Sequence, residues 1–323
     1  MSRLLNRIAI AAGLLLASHI AAAADWRPQR PIRIIVPFAA GGPSDTIARI
    51  IATEMSEELH TPIYVDNISG AGGATGVKRF LEEARDGHIL LMGHMGTHGA
   101  APALKSDLGY DPIVDFAPVG LAASTPMVIT VGPNVPAKDL QELVGMMRAR
   151  GNGVRIAHAG QGSVSHAAAV LLQSAVGATS TLASYPGTGP AMNDILQDRV
   201  DVLVDQIVNV APAIAGKRAR ALAIVGDTRS EIMPAVATTG EAGVTMKMNA
   251  WNGLFVARYT PPDQIAALNW ALREALADWR CRARLTDLGA VLPDSDHGTP
   301  EALGQLVKDE VVRWSEMTFE IRK

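Results

Sequence analysis

The chain has 323 residues, with 29 lysines and arginines against 32 acidic side chains, 48% hydrophobic residues and a single cysteine. That charge balance excludes a nucleic-acid binder and a protein held by charge to an anionic membrane surface. A lone Cys281, in a stretch of helical pattern, excludes an internal disulfide and reads as a small packing residue.

Residues 1–24 read as a secretory leader. Arg3 and Arg7 form the basic n-region, Ile8 to Ile20 the apolar segment, and Ala21 to Ala24 the small-residue cleavage site, with cleavage expected between Ala24 and Asp25. The apolar run is too short and alanine-rich to span a bilayer well, and no cysteine stands at the cleavage point to take a lipid. Losing Arg3 and Arg7 moves the net charge from −3 to −5. A soluble protein exported to the periplasm is expected, with enough chain for two domains.

From there short apolar strands alternate with amphipathic helices. Ile32–Val36 predicts a strand, and Ile47, Ile50, Ile51, Met55 and Leu59 recur at helical spacing after it. A strand at Ile63–Asp66, a loop at Gly70–Gly73, a helix around Val77–Ala84 and a strand at His88–Met92 follow, then a Gly-rich loop from Gly93 to Gly99 expected to be non-helical. The stretch Val119–Val131 is extended and apolar, and a helix runs from Lys138 to Arg150. A fresh series begins with strand Val154–His158, loop Ala159–Ser163 and a helix to Val176. Next come a strand near Ser180–Ser184, the loop Tyr185–Pro190 with a helix to Gln197, and strands at Val200–Val204 and Ala221–Val225. After an extended piece at Trp251–Ala257, the rest reads as helices over Gln264–Leu276, Arg280–Leu288 and Pro300 to about Phe319, Pro300 at N1. Such alternation predicts α/β domains whose mainly parallel sheets are flanked by helices, with ligands gathering at the carboxyl ends of strands. Residues 25–124 with 251–323 are expected to form one domain and 125–250 the other, joined by two crossover strands that leave a cleft.

Two loops carry the site reading. In Phe38–Asp45 the sequence Ala39-Ala40-Gly41-Gly42-Pro43-Ser44 joins a strand to a helix start, whose unpaired N–H groups and dipole suit a carboxylate. Ser44 is expected as N-cap or direct donor and Asp45 at N1. Gly42 is expected to tolerate no β-branched side chain, because a Cβ would block backbone approach. The loop lacks a G-x-G-x-x-G fingerprint and a Walker lysine, against nucleotide binding. Ala159 to His166 repeats the logic, with Gly160, Gly162, Ser163 and Ser165 as donors. Tyr185, Gly187 and Thr188 form a third strand-end loop, Thr97 and His98 a fourth, and Asp205 ends a strand. A metal held by His94 and His98 lacks partners, and no cofactor fingerprint appears. The absence of reactive machinery points to capture rather than turnover.

These segments, in order, resemble the substrate-binding proteins of tripartite tricarboxylate transporters, the Bug family of exported solute receptors. The resemblance is carried by Pro31–Asp45, Gly70–Gly76, Tyr110–Val119, Gly160–His166, Tyr185–Pro190 and Ala219–Ala223. It implies a two-domain type II periplasmic-binding fold that closes like a flytrap on a small carboxylate, amino acid or aromatic acid. It implies one wall of Phe38, Ala39, Gly41, Gly42, Ser44 and Asp45 and another of Gly160, Gly162, Ser163 and Ser165, with Tyr185, Gly187, Thr188 and Asp205 nearby. Where the family commonly has a basic residue after the tyrosine this chain has Pro186, and where it often has Arg-Pro after Asn67 this chain has Ile68-Ser69. That loss of positive charge favours a monocarboxylate or less charged solute over a tricarboxylate. The expected partner is a membrane permease of the tripartite type, and a monomer without cofactor or metal is expected. Two alternatives stand beside it: a ligand sensor docking a membrane kinase, and a secreted hydrolase using Ser163 or Ser165 with His166.

Overall fold

The computed structural model describes residues 26–321, so the leader read at residues 1–24 lies outside the described residues. The β-branched segment Ile32–Val36 forms β1. Its side chains alternate between the two faces of the sheet, as a period of two requires. Ile32, Ile34 and Val36 pack with Ile47, Ile51 and Met55 of α1 (Pro43–Glu58), while Ile35 joins Phe80 and Leu91 on the opposite face. Full burial of each such side chain contributes about 1.5–3 kcal/mol, so α1 is fixed by its apolar stripe rather than by helix propensity.

β2 (Ile63–Asn67), α2 (Ala74–Glu83) and β3 (Ile89–His94) complete a parallel β2-β1-β3 unit. After β3 the chain departs from the expected non-helical loop. Gly96–Ala100 forms a π-helical turn that runs into α3 (Ala101–Leu104). The missing side chains explain it. A Cβ on Gly96 would lie 2.7 Å from Val164 N, and one on Gly99 3.0 Å from Glu310 Cβ, so tertiary packing overrides glycine's poor helix propensity.

β4 (Phe116–Val131) is the longest strand. Over Phe116–Pro126 it pairs antiparallel with the later strand Asn249–Ala257. From Met127 its antiparallel partners become Val202–Gln206 on one side and Arg220–Ile224 on the other. α4 (Leu140–Arg150) is started by Asp139, whose carboxylate accepts from Glu142 N at 2.8 Å. β5 (Arg155–His158), α5 (Val164–Val176), β6 (Thr181–Ser184), α6 (Thr188–Ile195), β7 (Val202–Gln206), α7 (Ile207–Ala215) and β8 (Arg220–Ile224) build the second lobe, with β6-β5-β7 parallel. β9 (Asn249–Ala257) returns to the first lobe, which α8 (Pro262–Ala277), α9 (Trp279–Asp287) and α10 (Pro300–Ile321) complete.

The strand order is therefore β2-β1-β3-β9-β4-β7-β5-β6, with β8 also on β4. It is a two-domain flytrap fold in which parallel units lie outside and the long strands β4 and β9 run antiparallel through the middle. Trp251 and Cys281 are both buried in the core.

Candidate ligand-binding cleft

The first wall is the β1–α1 loop. Gly41 has φ +82°, which only glycine adopts freely, and it delivers the chain to Gly42, the N-cap of α1. Pro43 takes N1, where its missing N–H is harmless. Ser44 is therefore at N2 and Asp45 at N3, each two positions further into the helix than the N-cap and N1 expected from the sequence. Ser44 does not cap: its hydroxyl donates to Asn252 Oδ1 at 2.7 Å. Asp45 reaches back instead. Its Oδ2 accepts from Gly41 N at 2.9 Å, and its Oδ1 accepts from Arg49 Nε and Asn67 Nδ2, each at 3.0 Å. Burial opposes ionisation of this carboxyl, but the bonds from Arg49, Gly41 N and Asn67 outweigh it and hold it below the usual carboxylate range. Asp45 is thereby a brace for the loop, its charge matched by Arg49.

The second wall is the β5–α5 loop. Gly160 and Gly162 have φ +92° and +89°, and Ser163 is the N-cap of α5, its Oγ accepting from His166 N at 3.2 Å. Ser165 Oγ accepts from Ala159 N at 2.9 Å and lies 3.3 Å from Ser163 Oγ. The His166 ring turns away, with Nδ1 3.4 Å from Gly162 N and the ring 5.0 Å from that of His158. No imidazole nitrogen of His166 bonds either serine, so the pairing a hydrolase needs is not formed. Burial and the neighbouring His158 lower the His166 pKa to about 4.

α6 starts at Gly187, and Thr188 bonds Asp205. Asp205, at the end of β7, also accepts from Asn209 Nδ2 at 2.7 Å. Burial raises its pKa to about 6 against those hydrogen bonds.

These walls face one cavity of about 20 Å³, room for a water-sized sphere. Phe38, Ala39, Gly42, Ser44, Asp45 and His94 line it from the first lobe; Ser163, Val164, Ser165, Thr188, Asp205 and Gln206 line it from the second. Among the described residues neither lysine nor arginine does. Its rim is closed by backbone contact. A Cβ on Gly72 would lie 1.8 Å from Gln161 O, one on Gly189 would lie 2.7 Å from Ala40 O, and Ala39 N donates to Pro186 O at 3.1 Å.

Other candidates sit outside the lining. Gly41 and Gly187 are on the rim facing Gly189 and Ala39, Gly160 packs on Gly72, and Gly162 packs on Ala101. Tyr185 is turned to its own lobe, its hydroxyl donating to Asp194 Oδ2 at 2.8 Å; burial first, then Asp194, raises its pKa to about 12. Thr97 is fully buried behind the wall, its Oγ1 donating to His94 O. The expectation for Gly42 is also corrected in part. Its Cβ would meet Thr188 Oγ1 at 3.5 Å, ordinary contact, so close approach is enforced at Gly72 and Gly189 instead. His94, Val164 and Gln206 were not foreseen, although His94 and Gln206 occupy the strand ends where such folds collect ligands. Among the described residues no three His, Cys, Asp or Glu side chains are placed to hold a metal ion.

Residues 47–322 match the family model described as the tripartite tricarboxylate transporter family receptor. The chain belongs to this family. MatC from Rhodopseudomonas palustris, solved with bound malate, is 41% identical with a TM-score of 0.88, the match covering 90% of this chain and 99% of MatC. The periplasmic binding protein BugD is 33% identical at TM-score 0.88, covering 91% and 98%. A second R. palustris protein, solved with adipate, is 27% identical at TM-score 0.86, covering 92% and 98%.

Proposed function

We propose that this receptor captures a small carboxylate between its lobes in the periplasm and hands it to a tripartite tricarboxylate-type membrane permease. The observation that carries the reading is the convergence of two helix starts from opposite lobes. The N–H groups of Ser44 and Asp45 at α1 and of Val164 and Ser165 at α5 belong to first turns, which have no intrahelical acceptor, and all four residues line one cavity. Two positive dipole ends supply the attraction that lysine or arginine would otherwise give.

The cavity is too small for a four-carbon acid, so the lobes must part for entry and settle less tightly around the ligand. The change of β4 partners after Pro126, beside Asn249 of β9, supports a hinge there and domain limits near residues 124 and 251. The buried Asp205 carboxyl disfavours a third carboxylate. With relatives holding malate and adipate, this supports a mono- or dicarboxylate, with hydroxyl or amino groups accommodated near Asp205.

A thermal-shift screen of the mature protein against malate, succinate, adipate, aspartate, benzoate and citrate tests the reading. At least one of the smaller acids should raise Tm by mass action, and citrate should not. No shift with any of the six would overturn it.

A further inference from the structure

We propose that His94 is a ligand-contacting residue, donating a hydrogen bond from Nε2–H to the carboxylate held at the start of α5. The inference rests on the carboxylate-capture reading and names a contact within it. His94 ends β3 in the first lobe, yet its ring stands against the second. The Cβ position of Gly96 lies 2.6 Å from His94 Cε1 and 2.7 Å from Val164 N, so the imidazole edge borders the first turn of α5 across the cleft. The ring lines the cavity and is only 3% exposed.

Its orientation and tautomer are set from behind. Thr97 N donates to His94 Nδ1 at 3.1 Å, which makes Nδ1 the acceptor and leaves the proton on Nε2. The π-helical turn at Gly96–Ala100 is what brings Thr97 N to that atom. Phe38 stacks on the ring at 4.7 Å and 26°, fixing its plane. Nε2 has no hydrogen-bond partner among the described residues, and the ring that carries it lines the cavity. Burial keeps the ring neutral, lowering its pKa to about 4.

A neutral Nε2–H can only donate. The ligand must therefore present an acceptor there, a carboxylate oxygen, and an ammonium group at that end is refused. The donor adds to the free N–H groups of Val164 and Ser165 without placing a cation in the cavity.

Calorimetric titration of wild type, His94→Phe and His94→Gln with malate, succinate and adipate tests this. Phenylalanine keeps the stack on Phe38 and removes the donor; glutamine restores one. The tightest probe should bind the phenylalanine variant about tenfold or more weakly, and the glutamine variant within about threefold of wild type. Wild-type affinity in His94→Phe overturns the contact while leaving carboxylate capture standing; no binding by wild type overturns both. A second readout is independent of variant folding. In protein carrying 15N-histidine, the His94 signals should show protonated Nε2 that shifts on saturation with the same probe. Protonated Nδ1, or an Nε2–H signal that does not move, overturns the proposal.

Discussion

Ser44 Oγ donates to Asn252 Oδ1 at 2.7 Å, tying the first turn of α1 to the long strand β9 across 208 residues of sequence. The bond is one end of a buried chain. Asn252 Nδ2 and Thr125 Oγ1 both donate to Gln206 Oε1 at 2.7 Å, so the cavity wall, both central strands and the second lobe share one polar network. All four residues are buried, which makes every unmade bond expensive.

Asn252→Ala leaves the Ser44 hydroxyl and the Gln206 amide oxygen each short of a partner. The variant should lose about 2 kcal/mol of stability in urea unfolding. Unchanged stability would show that water replaces the side chain without loss.

Gly72→Ala places a Cβ where Gln161 O already lies, at a φ of +69°. The open protein bears only the strain of a Cβ at positive φ, about 1–2 kcal/mol. The closed form cannot seat, so affinity for the best carboxylate should fall more than about tenfold. Solution scattering should then show that ligand no longer compacts the protein. Equal affinity and equal compaction would place the closing contact elsewhere.

Asp45→Ala removes the acceptor shared by Gly41 N, Arg49 and Asn67. Stability should drop by about 1–3 kcal/mol, with a weakened ligand affinity, because the loop that aims the Ser44 and Asp45 N–H groups loses its brace. Calorimetry and urea unfolding on one preparation check both. Loss of stability with wild-type affinity would separate the brace from binding.

Acidification should destabilise the protein with its lobes closed, the state in which His94 and Asp205 are buried. Burial lowers His94 to about 4 and His98 to about 3, the latter also through His94, from an ordinary 6.5. Above pH 6.5 neither state carries these protons and the stabilisation is complete. As pH falls from 6.5 towards 4 the unfolded chain takes them up first, so it is lost. Asp205 works the other way, since the folded state protonates it near 6 and the unfolded state near 3.8. Two losses against one gain leave a net loss on the order of 1 kcal/mol per pH unit around pH 5–6, and the depressed His166 adds to it. Tm measured from pH 7 to pH 5 should decline; a flat or rising Tm would contradict this burial.

The parts legible in the sequence were those set by local chemistry. Gly41-Gly42-Pro43-Ser44 and Gly160-Gln161-Gly162-Ser163 announce strand-to-helix turns because positive φ, a proline at N1 and a serine cap are short-range demands. Side-chain roles were less legible. Ser44 fits an N-cap on local grounds, and only the arrival of Asn252 redirects its hydroxyl. His94 looked idle because a Gly-rich segment offers no helical signal, and the turn that brings Thr97 N to its ring forms only when packed between α5 and α10. Gly72 reads as one glycine in a loop until the second lobe supplies Gln161.

The proposed two-lobe grip is tested most directly by backbone amide resonances of 15N-labelled protein lacking residues 1–24, titrated with whichever of malate, succinate or adipate raises Tm most. At saturation the amides of Ser44 and Asp45 in one lobe and of Val164 and Ser165 in the other should all shift downfield as hydrogen bonds to the carboxylate form. Shifts confined to one lobe, or absent from all four, would contradict it.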